Sequence, residues 1–309
     1  MRFAMLFPGQ GSQHVGMLSE LATEHDIIEQ TFKEASQVLN LDLWTMSQTA
    51  NDSLNLTMNT QPLLLTASIA LHRLFSSQCD KKPAMVAGHS LGEYSALVVT
   101  GAIDFHDALK LVRLRGELMQ AAVPAGRAGM SAVIGLDDAT VTLLCEQVAN
   151  SEVLEPANFN APGQVVVAGH DSALNRLESA AKEAGAKLVK RLPMSVPSHC
   201  ALLKTTADEL ATTLANTPIN EPSIDYVNNV DVSVLRHPDD IRDALRRQLY
   251  SPVQWASVMS ALVESDIDRF IEVGPGKVLT GLAKRICKDK PCVPFNTPND
   301  LANIVREDF

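Results

Sequence analysis

Ala84-Met-Val-Ala-Gly-His-Ser90-Leu-Gly-Glu-Tyr-Ser-Ala-Leu-Val-Val-Thr100 is the stretch on which the architecture turns. Ala84–Gly88 is small and apolar and reads as a short buried strand. A helix follows at once, from about Leu91 to Thr100, with Gly101 placed to end it. A strand running straight into a helix is the repeating unit of a parallel sheet covered by helices on both faces. The turn between them is Gly88-His-Ser90-Leu-Gly92. Glycines on both sides permit a strained turn that lifts a serine oxygen off the sheet as a nucleophile. The following helix aims free N–H groups at the same spot, and that of Leu91 is placed to stabilise an oxyanion. A plain structural turn is the competing reading.

Working outward, Arg2–Phe7 reads as another buried strand, stopped by Pro8-Gly9, and Pro62–Phe75 has helical apolar spacing. The loop Phe7-Pro-Gly-Gln10-Gly-Ser-Gln13 leaves the first strand at the edge where parallel sheets bind ligands, so one of its N–H groups can supply a second oxyanion donor. It lacks the Lys-Ser/Thr of a phosphate-binding loop. Asp104–Ala122 reads as a longer helix with Asp104 as its N-cap. Between 126 and 196 the rhythm changes to βαββαβ. Strands are expected at 129–136, 155–159, 164–168 and 187–192, and helices at 138–149 and 171–184. That order is the one of a ferredoxin-like unit. Residues 126–196 are therefore read as an inserted small domain, and 1–125 with 197–309 as the α/β core. Past Pro197, strands at 224–228 and 270–273 resume the alternation with helices 241–249 and 254–265.

The chain has 309 residues, 26 Lys+Arg against 36 Asp+Glu, a net charge of −10 and 46% hydrophobic residues. A substantial core is expected and general disorder is excluded. The acidic balance argues against non-specific nucleic-acid or anionic-membrane binding, both of which need clustered positive charge. Five cysteines without a CxxC pair suggest neither a disulfide framework nor a zinc site. The apolar run before Pro8 is too short for a signal peptide, and no stretch approaches the roughly 18 apolar residues needed to cross a bilayer. A cytoplasmic protein is expected.

A serine nucleophile needs a base. His14, His25, His72, His106, His170 and His237 sit among polar neighbours and read as solvated, and the His89 side chain should leave the elbow in another direction. His199 follows Pro197-Ser198 at the start of a helical pattern, 200–215, with Ser198 as a natural N-cap. A helix N-terminus disfavours the imidazolium, which would keep His199 neutral and able to take a proton. An ordinary helix-start residue is the alternative. No acid between Ser90 and His199 completes a triad persuasively, so a dyad is favoured.

In 104–122, Ala108, Leu111, Val112, Leu118, Met119 and Ala122 form one apolar stripe with Arg115 in its middle. Lys110, Arg113, Glu117 and Gln120 occupy the opposite, solvated face. A buried arginine needs an anionic partner. Either a protein carboxylate supplies it, or Arg115 is a fork for a substrate carboxylate.

FPGQGSQ at 7–13, GHSLGE at 88–93, RGELMQ at 115–120, NFNAPGQVVVAG at 158–169, SVPSHC at 195–200, RRQLYSPVQW at 246–255 and EVGPGKVL at 272–279 resemble the malonyl-CoA:acyl carrier protein transacylases of type II fatty acid synthesis. The motifs run in family order from residue 3 to about 286. The resemblance implies a hydrolase-like α/β core with a ferredoxin-like insert. It implies Ser90 as nucleophile, His199 as its base and Arg115 as ligand of the malonyl carboxylate. The N–H groups of Gln10 and Leu91 would form the oxyanion hole, and the Gln248 main-chain carbonyl would orient His199. Met119 and Val278 are expected at the acyl pocket. Lys277, Lys284 and Lys288, read as one helical face, and Lys187, Lys190 and Arg191 are candidate carrier-protein contacts; solvated faces are the plain alternative. The implied partners are malonyl-CoA and acyl carrier protein, with no metal, no cofactor beyond the thioester substrate, and a monomer. A serine thioesterase or esterase on the same elbow, a non-catalytic carrier-binding module, and a free-standing polyketide acyltransferase are the other readings.

Overall fold

The computed structural model describes residues 2–50, 52–193 and 196–306. Met194 and Ser195, at the expected end of the insert and the start of SVPSHC, lie outside the described residues, as do 307–309. The described strands are β1 (Phe3–Phe7), β2 (Met85–Gly88), β3 (Ala128–Ile134), β4 (Leu154–Ala161), β5 (Gln164–His170), β6 (Leu188–Arg191), β7 (Asp225–Val227), β8 (Arg269–Val273) and β9 (Cys292–Phe295).

They form two sheets. The first is parallel, in the order β7-β2-β1-β8-β9. Its central strand β1 is buried throughout because helices cover both faces. Met5 and Phe7 pack into one apolar cluster while Ala4 and Leu6 pack into another, the alternation that a two-residue strand period demands. The second sheet is antiparallel in the order β4-β5-β3-β6, with the helices Asp138–Ala149 and Asp171–Glu183 packed together in a core of their own. The sheets are tied where β4 meets the loop before the helix Trp255–Glu264: Phe159 N–H donates to Val253 O at 3.0 Å and Val253 N–H to Ala157 O at 2.9 Å. The result is a mixed α/β fold with a parallel sheet.

Several expectations need correction. The helix expected from Pro62 spans Thr57–Gln78, with Pro62 inside it. Proline has no N–H to give the carbonyl of Met58, and Arg113 Nη1 takes that acceptor at 3.2 Å. Arg113 is thereby packed between helices instead of solvated. The helical pattern at 200–215 resolves into a tight turn, Ala201–Leu203, and a helix Lys204–Asn216. Ser198 caps neither, and Ala201 N–H is met by Glu155 Oε2 of β4 at 2.9 Å. Past Gly276 the helix covers only Val278–Ile286, so Lys277 precedes it and Lys288 follows it. The helices Ser19–Glu24, Ile27–Leu39 and Leu43–Gln48, the edge strand β9 and the helix Pro298–Arg306 were not anticipated.

Candidate active site

The site is built on the turn after β2. Ser90 has φ +51°, a left-handed conformation that costs a non-glycine residue strain and must be held by its surroundings. Asn229 holds it. Its Oδ1 accepts from Ser90 N–H at 2.7 Å and its Nδ2 donates to Gly88 O at 2.7 Å, spanning the turn. The flanking glycines are steric necessities. A Cβ on Gly88 would stand 1.9 Å from the Gly92 carbonyl carbon, and one on Gly92 1.9 Å from the Phe7 carbonyl oxygen. The strand end and the helix Gly92–Val99 can approach this closely only without side chains.

His199 is 2% exposed and adopts φ +64°. Its Nε2 lies 2.8 Å from Ser90 Oγ, and its Nδ1 lies 2.6 Å from the Gln248 main-chain oxygen. A carbonyl only accepts, so Nδ1 carries the hydrogen and Nε2 is free to receive the serine proton. Burial, and then the nearby Arg115 charge, push the imidazole pKa down to about 3. The neutral ring expected from a helix N-terminus is therefore found, but desolvation causes it. His89 is turned toward the second sheet, with its Nε2 2.8 Å from Asn160 Oδ1 of β4 and its ring 5.4 Å from that of Trp255, and it lines the same cavity as Ser90.

Arg115, on the helix Phe105–Ala121, is 1% exposed. It donates to Gln61 Oε1 at 2.8 Å, to Gln248 Oε1 at 2.9 Å and to Ser90 Oγ at 3.3 Å, and it lies 5.4 Å over the Tyr94 ring. Every one of these acceptors is neutral. Its Nε has no partner among the described residues. A buried cation with an unused donor is a standing demand for an anion.

A cavity of about 170 Å³ opens on this group, and Gln10, Leu91, Met119 and Val278 line it with Ser90 and His199. The amides of Gln10 and Leu91 make no hydrogen bond among the described residues. Asn158 and Asn160 of β4 and Gln164 of β5 close the cavity from the second sheet. Outside it, Lys187, Lys190, Lys277, Lys284 and Lys288 are exposed. Arg191 is held instead in ion pairs with Asp171 at 3.2 Å and Glu178 at 3.0 Å. No group of three or more His, Cys, Asp or Glu among the described residues is placed to hold a metal, and no helix there is long and apolar enough to cross a membrane.

Sequence reasoning missed Gln61, Glu93, Asn229 and the side chain of Gln248. Glu93 is fully buried, accepts from Gln248 Nε2 at 2.7 Å and from Asn229 N–H at 3.3 Å, and has its pKa raised by burial to about 7. Its sequence signal was present. The helix it starts, GEYSALVV, is apolar enough to be buried all round, so a carboxylate there has no route to water.

Residues 4–298 match the acyl transferase domain family. A malonyl CoA-acyl carrier protein transacylase of Escherichia coli (strain K12) is 53% identical over 302 residues, covering 97% of this chain and 98% of that one. The crystal structure of an acyl carrier protein S-malonyltransferase from Vibrio cholerae superposes with a TM-score of 0.96 at 52% identity, over 98% of this chain and all of that chain. A malonyl-transacylase solved in complex with its type II PKS acyl-carrier protein superposes with a TM-score of 0.98 at 48% identity, over the full length of both.

Proposed function

The chain belongs to the acyl transferase family, as a malonyl-CoA:acyl carrier protein transacylase of fatty acid synthesis, and on that premise we propose that Ser90 carries the malonyl group between the two thiols. Malonyl-CoA is the donor and acyl carrier protein the acceptor. Ser90 Oγ attacks the thioester carbon while His199 Nε2 takes its proton. The amides of Gln10 and Leu91 receive the oxyanion. On collapse, the imidazolium returns the proton to the departing coenzyme A sulfur, leaving a malonyl-serine ester. The carrier-protein thiol then gives its proton to His199 and attacks the ester, and Ser90 leaves with the proton restored. The Gln248 carbonyl holds the ring throughout.

Arg115 is the carboxylate ligand in this reading. The observation that carries it is a fully buried guanidinium with only neutral acceptors, 3.3 Å from the nucleophile. Acetyl-CoA would leave that cation unpaired, so selectivity rests on a missing partner as much as on a favourable one. Met119 and Val278 bound the acyl end of the cavity. The exposed Lys187, Lys190, Lys277, Lys284 and Lys288 offer carrier-protein contacts. We also read the parallel sheet as a hydrolase-like core, 1–125 and 197–309. The antiparallel sheet is a ferredoxin-like insert, 126–196, whose strand order supports that reading. A cytoplasmic monomer completes the proposal. It works without metal or cofactor, because the thioester supplies its own leaving group.

Intact-protein mass spectrometry after mixing with malonyl-CoA tests the assignment. A single malonyl adduct mapped to Ser90, absent in Ser90→Ala, is expected. An adduct on another residue, or none in the wild type, rejects it.

A further inference from the structure

Behind the elbow, Glu93 makes its two hydrogen bonds through one oxygen. Oε2 accepts from Gln248 Nε2 at 2.7 Å and from Asn229 N–H at 3.3 Å, while Oε1 has no partner among the described residues. Oε2, the nearer of two acceptors, the other being the Ser90 carbonyl, holds the Gln248 amide one way round. A primary amide has one donating and one accepting end; the Ser90 carbonyl only accepts, and Glu93 Oε2, already accepting from Asn229 N–H, offers a second acceptor beside it. The NH2 must therefore face Glu93, where it also donates to Ser90 O at 3.0 Å, and Oε1 must face Arg115 Nη2 at 2.9 Å. Turned round, the amide would set oxygen against oxygen and N–H against N–H. Gln61, the other amide on the guanidinium, lacks such a lock, because among the described residues its NH2 meets only the weak acceptor Met119 Sδ at 3.4 Å.

We propose that Glu93 is a positioning residue for malonyl selection: through the Gln248 amide it fixes the Arg115 guanidinium in the orientation that receives the substrate carboxylate. This deepens, and rests on, the reading of Arg115 as the carboxylate ligand. The relay has a second consequence. Glu93 is kept one amide away from the guanidinium, so Arg115 is not consumed in a direct ion pair and stays available to an incoming anion. Through the Asn229 main chain, the same carboxylate also anchors the residue whose side chain clamps the elbow.

Two conservative variants separate this role from a general need for charge. In Glu93→Gln, the new carbonyl can take the place of Oε2 and accept both donors, while the NH2 falls where Oε1 makes no bond. Glu93→Asp keeps the charge but withdraws the acceptor by one methylene. The measurement is kcat and KM with malonyl-CoA and with acetyl-CoA for each variant, with Arg115→Ala as reference. Each malonyl/acetyl ratio is taken within one enzyme, so a partly unfolded fraction cancels. The Asp variant should lose about tenfold of the ratio, mostly through the malonyl-CoA KM, the scale of one charge-assisted hydrogen bond. The Gln variant should stay within about twofold of wild type. A wild-type ratio in Glu93→Asp, or a Gln variant that falls as far as Asp, overturns the relay. If either happens while Arg115→Ala collapses the ratio, the relay alone is wrong. If Arg115→Ala also leaves the ratio unchanged, the carboxylate reading falls with it.

Discussion

His199 Nδ1 lies 2.6 Å from the main-chain carbonyl oxygen of Gln248, so the general base is oriented by a neutral group where a triad would place a carboxylate. The electrostatic reason is in the substrate. A malonyl group brings its own negative charge to within reach of Ser90, and a triad acid beside His199 would repel it and compete for Arg115. A carbonyl fixes the tautomer without adding an anion. It gives up some stabilisation of the imidazolium and keeps Arg115 as the one strong charge facing the acyl group.

Arg115→Ala should therefore separate the two acyl donors. Malonyl transfer is expected to fall on the order of a hundredfold, the scale of a lost buried charge pair, while acetyl transfer falls much less. Arg115→Lys should recover little, because a point charge cannot reproduce a planar fork held by two amides. Steady-state kcat/KM with both thioesters reads this directly. An unchanged malonyl/acetyl ratio would make Arg115 a structural cation.

The elbow and Arg115 were legible in the sequence because each has a local signature. One is glycines at fixed offsets between a strand and a helix, the other a charge in a helical apolar stripe. Gln61, Asn229 and the Gln248 side chain have none. They are ordinary polar residues that meet Ser90 and Arg115 from distant parts of the chain, and only the fold brings them together. His199 was found for a partly mistaken reason, since the dominant cause of its neutrality, burial, is a tertiary property. β9 was missed because four residues interrupted by Pro294 look like a loop. An edge strand tolerates a proline that a central strand would not.

The pH profile follows from burial of the base. An exposed imidazole titrates near pH 6.5, whereas His199 is held down to about 3. His199 should thus contribute no step near 6.5 to the kcat/KM for malonyl-CoA between pH 7.5 and about 5. The buried group that titrates in this window is Glu93, held up to about 7, so any step there should vanish in Glu93→Gln. The linkage has a definite sign. The unfolded chain takes up this proton below about 6.5 and the folded chain does not, so this group's contribution to stability is full above that pH. It is lost progressively as pH falls toward 3. A titration of kcat/KM centred on 6.5 that His199 itself causes would refute the buried-base account.

Charge reversal at the exposed lysines tests docking. Lys284→Glu and Lys277→Glu should each raise the KM for carrier protein several-fold at low salt, with the effect shrinking as ionic strength rises and kcat little changed. Arg191→Glu should behave differently. Its partners are Asp171 and Glu178, so the expected result is lower thermal stability of the second sheet. If the lysine variants keep the wild-type KM across salt concentrations, the acidic partner docks elsewhere.

Gly92 offers a severe steric test. Its Cα faces the Phe7 carbonyl at the end of the central strand β1, and that carbonyl also accepts the His89 N–H at 2.9 Å. An added Cβ would meet the Phe7 oxygen at 1.9 Å and its carbon at 2.7 Å, and neither atom belongs to a side chain that can turn away. Gly92→Ala must therefore push the helix off the strand, break the His89 bond and release the strain held at Ser90. A loss of about 3 kcal/mol or more is expected, with activity lost before the protein melts. Gly101→Ala is the control. It meets nothing within 4 Å and suffers only the φ of +75°, about 1–2 kcal/mol. Thermal melts of the two variants should differ clearly, and a Gly92→Ala protein as stable as Gly101→Ala would mean that the elbow can open without cost.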